Sequence, residues 1–151
     1  MINYILKGVI KMKTQFRVRY KETDRMGIVY HSNYIVWFDV GRTELLRSLG
    51  FDYRHLEEIG LMLPVVEVNV KYKSPSYYDD LIEIEASILE VSRVKVKFGY
   101  KVYRGQTLLA EGYTVHGFTD NNLKPIALNK FNKEIYELFL KSAVSNLEDK
   151  G

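Results

Sequence analysis

The chain has 151 residues and a mass of 17.7 kDa, the size of one domain, and at this length roughly two-thirds of the unfolded surface can be buried without staples. Its 46% hydrophobic and 27% charged residues exclude a disordered chain, and the absence of cysteine excludes disulfides, a thiolate nucleophile and a zinc knuckle. A net charge of +3 suits a phosphorylated small ligand but lacks the concentrated basic stripe of a duplex DNA binder.

Met1 to Lys13 holds two short apolar clusters, Tyr4-Ile5-Leu6 and Val9-Ile10, split by Lys7 and Gly8. A secretory signal needs about 7–15 unbroken apolar residues and a membrane span about 20. Neither is present, so the expectation is a cytoplasmic protein without membrane insertion. Residues 1–13 read as an extension: an addition ahead of a start at Met12, an extra strand, or a tail. Residues 14–151 read as a single domain.

Phe16, Val18 and Tyr20 alternate with Arg17 and Arg19, the pattern of a half-buried strand. Lys21 to Ser32 reads as a loop in which Gly27 can take positive φ freely. A helix follows over Asn33–Leu49, capped by Ser32 or Asn33 and closed by Gly50. Its first half, Tyr34-Ile35-Val36-Trp37-Phe38, is apolar on every face and predicts burial all round. Gly41, unfavourable inside a helix, predicts close packing against a sheet.

Three clean alternations come next, each with one dry and one wet face. They run through Val66-Val68-Val70-Tyr72, Ile82-Ile84-Ala86-Ile88 and Val94-Val96-Phe98-Tyr100-Val102. Hairpins are expected at Ser92 and at Arg104-Gly105-Gln106-Thr107. Leu108–Thr119 is a strand apolar on parts of both faces. After an Asp120-Asn121-Asn122 turn, Phe131, Ile135, Leu138 and Phe139 recur at helical spacing and predict an amphipathic outer helix. The sum is an α+β domain: a bent antiparallel sheet wrapped around one long central hydrophobic helix, plus a C-terminal helix.

Motif chemistry is mostly absent. There is no phosphate-cradling glycine loop and no Gly-x-Ser-x-Gly elbow, and His31, His55 and His116 lie in separate elements without metal-ligand spacing. No metal is expected, and His55 and His116 read as structural. The segment from Tyr20 to Tyr34 is different. It places Asp24, Gly27 and His31 immediately upstream of a helix amino terminus, where unpaired amides and the helix dipole can hold a developing oxyanion. A carboxylate there can activate water or attack directly. On spacing alone, Asp24 reads equally well as a turn or capping residue.

Glu22-Thr23-Asp24, Gly27-Ile28-Val29-Tyr30-His31 and Asn33-Tyr34, continuing through Phe38-Asp39-Val40-Gly41-Arg42-Thr43-Glu44, resemble the signature of hotdog-fold acyl-CoA thioesterases of the 4-hydroxybenzoyl-CoA thioesterase type. A second block, Tyr72-Lys-Ser-Pro-Ser-Tyr-Tyr-Asp-Asp80, resembles a turn of the same family. The similarity spans about Phe16 to Pro125 and extends to the small bacterial branch associated with the Tol–Pal envelope genes. It implies hydrolysis of a short-chain or aromatic acyl-CoA. Asp24 would be base or nucleophile, the His31 amide the oxyanion donor, and Tyr20 a residue lining the same site. Gly27, Ile28, Val29 and Asn33 would bind substrate, and Lys71, Lys73 and Arg93 are candidates for the phosphates of coenzyme A, as are Lys95 and Arg104. Coenzyme A enters as part of the substrate, so no separate cofactor is implied. Arg25 and Met26 depart from the small residues of relatives and are expected to border the pocket. Asp39 and Glu44 read as partners of Arg42 or of a neighbouring strand. A hotdog dehydratase, drafting His31 with Glu44, and a non-catalytic acyl-CoA-binding module are the alternatives. A homodimer or homotetramer is expected, because a single bent sheet leaves edges and helix surface uncovered. Nucleic acid is not expected as a partner, since the aromatics alternate onto dry faces.

Overall fold

The computed structural model describes residues 2–6 and 9–143, with side chains from Lys11 onward. Six antiparallel strands form one sheet: β1 (Ile2–Leu6), β2 (Val9–Arg17), β3 (Val65–Tyr72), β4 (Leu81–Val91), β5 (Lys95–Arg104) and β6 (Thr107–Gly117). Their spatial order is β1-β2-β4-β5-β6-β3. The helices are α1 (Asn33–Ser48), α2 (Tyr53–Ile59), α3 (Leu128–Phe131) and α4 (Lys133–Ser142).

The alternation in β4 has the expected outcome. Ile82, Ile84, Ala86 and Ile88 are all fully buried, as are Phe38, Leu45 and Leu46 of α1. Each such large apolar side chain contributes roughly 1.5–3 kcal/mol. Phe38 stacks on Tyr100 of β5 at 4.3 Å between ring centroids. Gly41 shows why glycine is needed mid-helix, because a Cβ there would lie 2.7 Å from Cγ2 of Ile84. α4 buries Ile135 and Phe139 and packs on β4 and β2.

The structure corrects several expectations. The first strand does not run on to Tyr20. It ends at Arg17, and the chain curls into a 3-10 turn over Tyr20–Glu22 because the Glu22 carboxylate accepts the Arg19 amide at 2.8 Å. The same strand begins at Val9 and pairs continuously with β4 from Lys11 to Arg17. Met12 is buried in the core. The strand Ile2–Leu6 pairs with Val9–Lys13.

α1 is not enclosed on all sides, since Ile35, Val36 and Val40 are 36–48% exposed. The alternation in β3 is likewise real but not dry: Val66 is 57% exposed and Val68 41%. Among the described residues β3 is an edge strand, paired only with β6. Val94, expected on a dry face, is exposed in the turn between β4 and β5. α2 has no counterpart in the sequence reading; it is a seven-residue helix capped by the Asp52 side chain on the His55 amide and ended by Gly60 at φ +80°.

Candidate active site

The loop before α1 folds as a small hairpin. Glu22 and Tyr30 face each other at its base, where the Tyr30 amide donates to the Glu22 carbonyl at 2.8 Å. Thr23 pairs with Val29, the Asp24 amide donates to the Ile28 carbonyl at 2.8 Å, and Gly27 turns the chain at φ +80°. One oxygen of Asp24 accepts the Met26 amide at 2.8 Å. The turn role left open by spacing is therefore genuine, but it uses only Oδ1; Oδ2 has no hydrogen bond among the described residues.

The second block docks onto this hairpin. The Val29 amide donates to the Ser76 carbonyl, Ile28 pairs with Tyr77, and the hydroxyls of Tyr34 and Ser76 share a buried hydrogen bond of 2.7 Å. Tyr72, the last residue of β3, donates its hydroxyl to the His31 carbonyl at 2.8 Å. Its ring meets Tyr34 edge-on at 5.2 Å. Burial raises the pKa of both phenols, and for Tyr72 the nearby Tyr34 adds to the rise.

Between the two blocks opens a cavity of about 380 Å³ lined by Asp24, Met26, Ile28, Val29, His31, Tyr34, Tyr72, Lys73, Ser74 and Pro75. At its edge α1 begins. Ser32 occupies the N-cap position without a side-chain cap, and Asn33 instead donates its side-chain amide to the Glu22 carbonyl at 2.9 Å. The amides of residues 33–35 close short turns onto Tyr30, His31 and Ser32, whereas the His31 amide has no backbone acceptor among the described residues. An unpaired donor at the positive end of a helix is what a tetrahedral oxyanion requires.

Asp24, His31, Ile28, Val29 and Lys73 thus converge on one cavity, with Gly27 shaping the turn beside it. Met26 lines it and Arg25 does not. Tyr20 is not brought there; it is 77% exposed and meets Tyr78 edge-on at 5.7 Å. Asn33 ties the hairpin to α1 and does not line the cavity. Lys71 borders a different concavity of about 430 Å³ on the outer sheet face, with Lys11 and Lys101. Arg93 lies exposed in the β4–β5 turn, its carbonyl accepting the Leu128 amide. Asp39 pairs with Arg42 as expected, while Glu44 pairs with Arg47 and is absent from the cavity, so His31 and Glu44 share no site. Among the described residues no three His, Asp or Glu side chains are placed to hold a metal ion.

Sequence reasoning missed Tyr34, Tyr72, Ser74 and Pro75 as lining residues. A signal existed in the second block, which was tied to a turn but not to the cavity.

The family model of the thioesterase-like superfamily matches residues 18–139. The chain belongs to that superfamily. Its members include relatives of substantial similarity. The Bacillus subtilis protein YneP is 40% identical over 120 residues, covering 78% of this chain and 87% of YneP. The acyl-CoA thioesterase YbgC of Haemophilus influenzae is 33% identical over 125 residues, covering 82% and 90%. Among solved structures, the DHNA-CoA thioesterase of Staphylococcus aureus superposes with a TM-score of 0.86 at 31% identity, over 93% of this chain and 95% of that one. A 4-hydroxybenzoyl-CoA thioesterase superposes at 0.74 with 23% identity, over 85% and 97%, a likeness of fold. The fold is the hotdog, α+β, and the enzyme is a thioester hydrolase of this superfamily.

Proposed function

We propose that this enzyme hydrolyses a short-chain or aromatic acyl-CoA to the free acid and coenzyme A. One observation carries the reading: the Asp24 carboxylate lines the same cavity as His31, and among the described residues one Asp24 oxygen and the His31 amide at the start of α1 have no hydrogen-bond partner. In the proposed reaction Asp24 takes a proton from water as the water oxygen attacks the thioester carbonyl, or its own oxygen attacks to give a mixed anhydride that water then opens. In either route the carbonyl oxygen gathers negative charge against the His31 amide. Collapse of the tetrahedral species breaks the C–S bond, and the thiolate leaves and is protonated. The names of YbgC and of the Staphylococcus aureus enzyme, both thioesterases of CoA esters, support the substrate class.

Lys73, at the rim of the cavity, is the proposed contact for a phosphate of coenzyme A. The exposed apolar strip of Val65, Val66 and Val68 on edge strand β3, with Ile35, Val36 and Val40 of α1, supports a homodimer, or a homotetramer built from it. The 33% identity to YbgC supports a place in the small bacterial branch that the sequence resembles. Among the described residues no helix is long and apolar enough to cross a membrane, and the cytoplasm is the proposed compartment.

The deciding experiment is thiol release from a panel of acyl-CoAs by wild type and Asp24→Asn. Loss of positioned acid–base help lowers rates by about 10²–10⁴, so the expected result is a kcat lower by at least roughly 10² in a folded variant. Near-normal turnover in folded Asp24→Asn would take the aspartate out of the chemistry, and wild-type protein that binds but never cleaves acyl-CoA would overturn the assignment.

A further inference from the structure

Glu22 lies two residues before Asp24 and is 4% exposed, yet no step above uses it. One carboxylate oxygen accepts the Arg19 amide at 2.8 Å and the other accepts the indole N–H of Trp37 at 2.8 Å. Its carbonyl accepts two further donors, the Tyr30 amide at 2.8 Å and the Asn33 side chain at 2.9 Å. The Arg19 guanidinium approaches to 3.4 Å but is largely exposed. Burying a carboxylate is unfavourable without such partners, and a residue needed only for packing would be apolar.

We propose that Glu22 is a positioning residue for thioester hydrolysis, its buried carboxylate holding the hairpin base against α1 so that the Asp24 carboxylate and the His31 amide keep one spacing. The geometry carries this. Glu22 and Tyr30 close the base of the hairpin; Asp24 stands two residues beyond it on one side and His31 one residue beyond it on the other. Asn33 and Trp37 are one turn apart on α1, so the helix is gripped at two points. The Arg19 amide and guanidinium and the Trp37 indole all face the carboxylate as N–H donors, a setting that favours its ionised, acceptor-only form. Burial alone would push the Glu22 pKa up, but the Arg19 amide and the Trp37 indole hold it below the ordinary glutamate value. An amide in its place would present its own N–H to one of the two donors.

This inference rests on the hydrolase reading, and the test separates the two. Steady-state kinetics of wild type, Glu22→Gln and Trp37→Phe with the best acyl-CoA of the panel are combined with the ¹H–¹⁵N NMR signal of the His31 amide. Misplacement of reacting groups by about 1 Å can lower a rate by roughly 10². Glu22→Gln is therefore expected to lower kcat by roughly 10- to 100-fold with KM nearly unchanged, and to shift the His31 amide signal. Trp37→Phe, which deletes one donor, is expected to lower kcat less and in the same direction. Wild-type kcat in Glu22→Gln, whatever its melting temperature, overturns the proposal. Should Glu22→Gln not fold, wild-type kcat in Trp37→Phe does so instead. A wild type inactive on every acyl-CoA sinks the hydrolase reading, and the coupling of Glu22 to the Asp24–His31 spacing is then decided by the NMR arm: a His31 amide signal unmoved in Glu22→Gln overturns it.

Discussion

A line of hydrogen bonds crosses the core beneath α1, and it makes stability depend on pH in a defined direction. Arg42 donates to the Tyr100 hydroxyl at 3.0 Å and to the Tyr53 hydroxyl at 2.7 Å. The Tyr100 and Thr114 hydroxyls are 2.7 Å apart, Thr114 lies 2.8 Å from Nε2 of His116, and Nδ1 of His116 lies 2.9 Å from the Leu63 carbonyl. Because a carbonyl can only accept, Nδ1 carries the proton, and in the neutral ring that burial favours Nε2 accepts from Thr114. Thr114 in turn accepts from Tyr100, so every bond from Arg42 to Leu63 points the same way. His116 is fully buried, and burial pushes its pKa down to about 4, with the Arg42 charge adding to the effect and the Leu63 carbonyl opposing it. A base whose folded pKa lies below its unfolded value of 6.5 stabilises the fold fully above that value and less as pH falls toward 4. The full effect is roughly 3 kcal/mol, of which about 2 kcal/mol is lost by pH 5. The check is urea unfolding of wild type and the non-titrating His116→Gln between about pH 7.5 and pH 5. The wild-type advantage is expected to shrink by about 2 kcal/mol over that range. Parallel pH curves for the two proteins would show that the ring does not titrate against the fold.

Three further outcomes follow from the packing. At Gly112 a Cβ would lie 2.0 Å from the Asn69 carbonyl oxygen and 3.1 Å from the Phe38 ring, so Gly112→Ala is expected to lose about 3 kcal/mol or more of unfolding free energy; a loss under about 1 kcal/mol would deny the close approach of β3 and β6. Val66→Lys is expected to give a folded monomer by light scattering, since it places a charge on the exposed edge; an unchanged oligomer would move the interface elsewhere. Tyr72→Phe removes the bond to the His31 carbonyl and is expected to lower kcat by about 2- to 10-fold, with full activity refuting a role for that hydroxyl.

The strands and the central helix were legible because their signals are local and periodic. Ile82, Ile84, Ala86 and Ile88 alternate and all point into the core, and Gly41 marks where α1 presses on β4. The same alternation misled at Val66 and Val68, because period two reports which side chains share a face and not whether that face meets the core or another chain. Tyr20 continues the Phe16–Val18 alternation, but the Glu22 carboxylate captures the Arg19 amide and turns the strand away before Tyr20. α2 is too short for a periodic signal, and its marks are two single residues, Asp52 and Gly60. Asp24 and His31 were legible as a motif. Tyr72 was not, because its bond to His31 spans 41 positions and its local pattern is that of an ordinary strand residue.

Tyr72 closes the edge strand on which a second copy is proposed to dock, and it also donates to the carbonyl of His31, the proposed oxyanion donor. Docking of a second copy there would link assembly to substrate binding through one phenol. If pairing of protomers steadies that strand, a bound acyl-CoA must tighten the pairing by the same factor by which pairing tightens the acyl-CoA. Specific activity would then rise with enzyme concentration on dilution series, and substrate would shift the midpoint of dissociation downward.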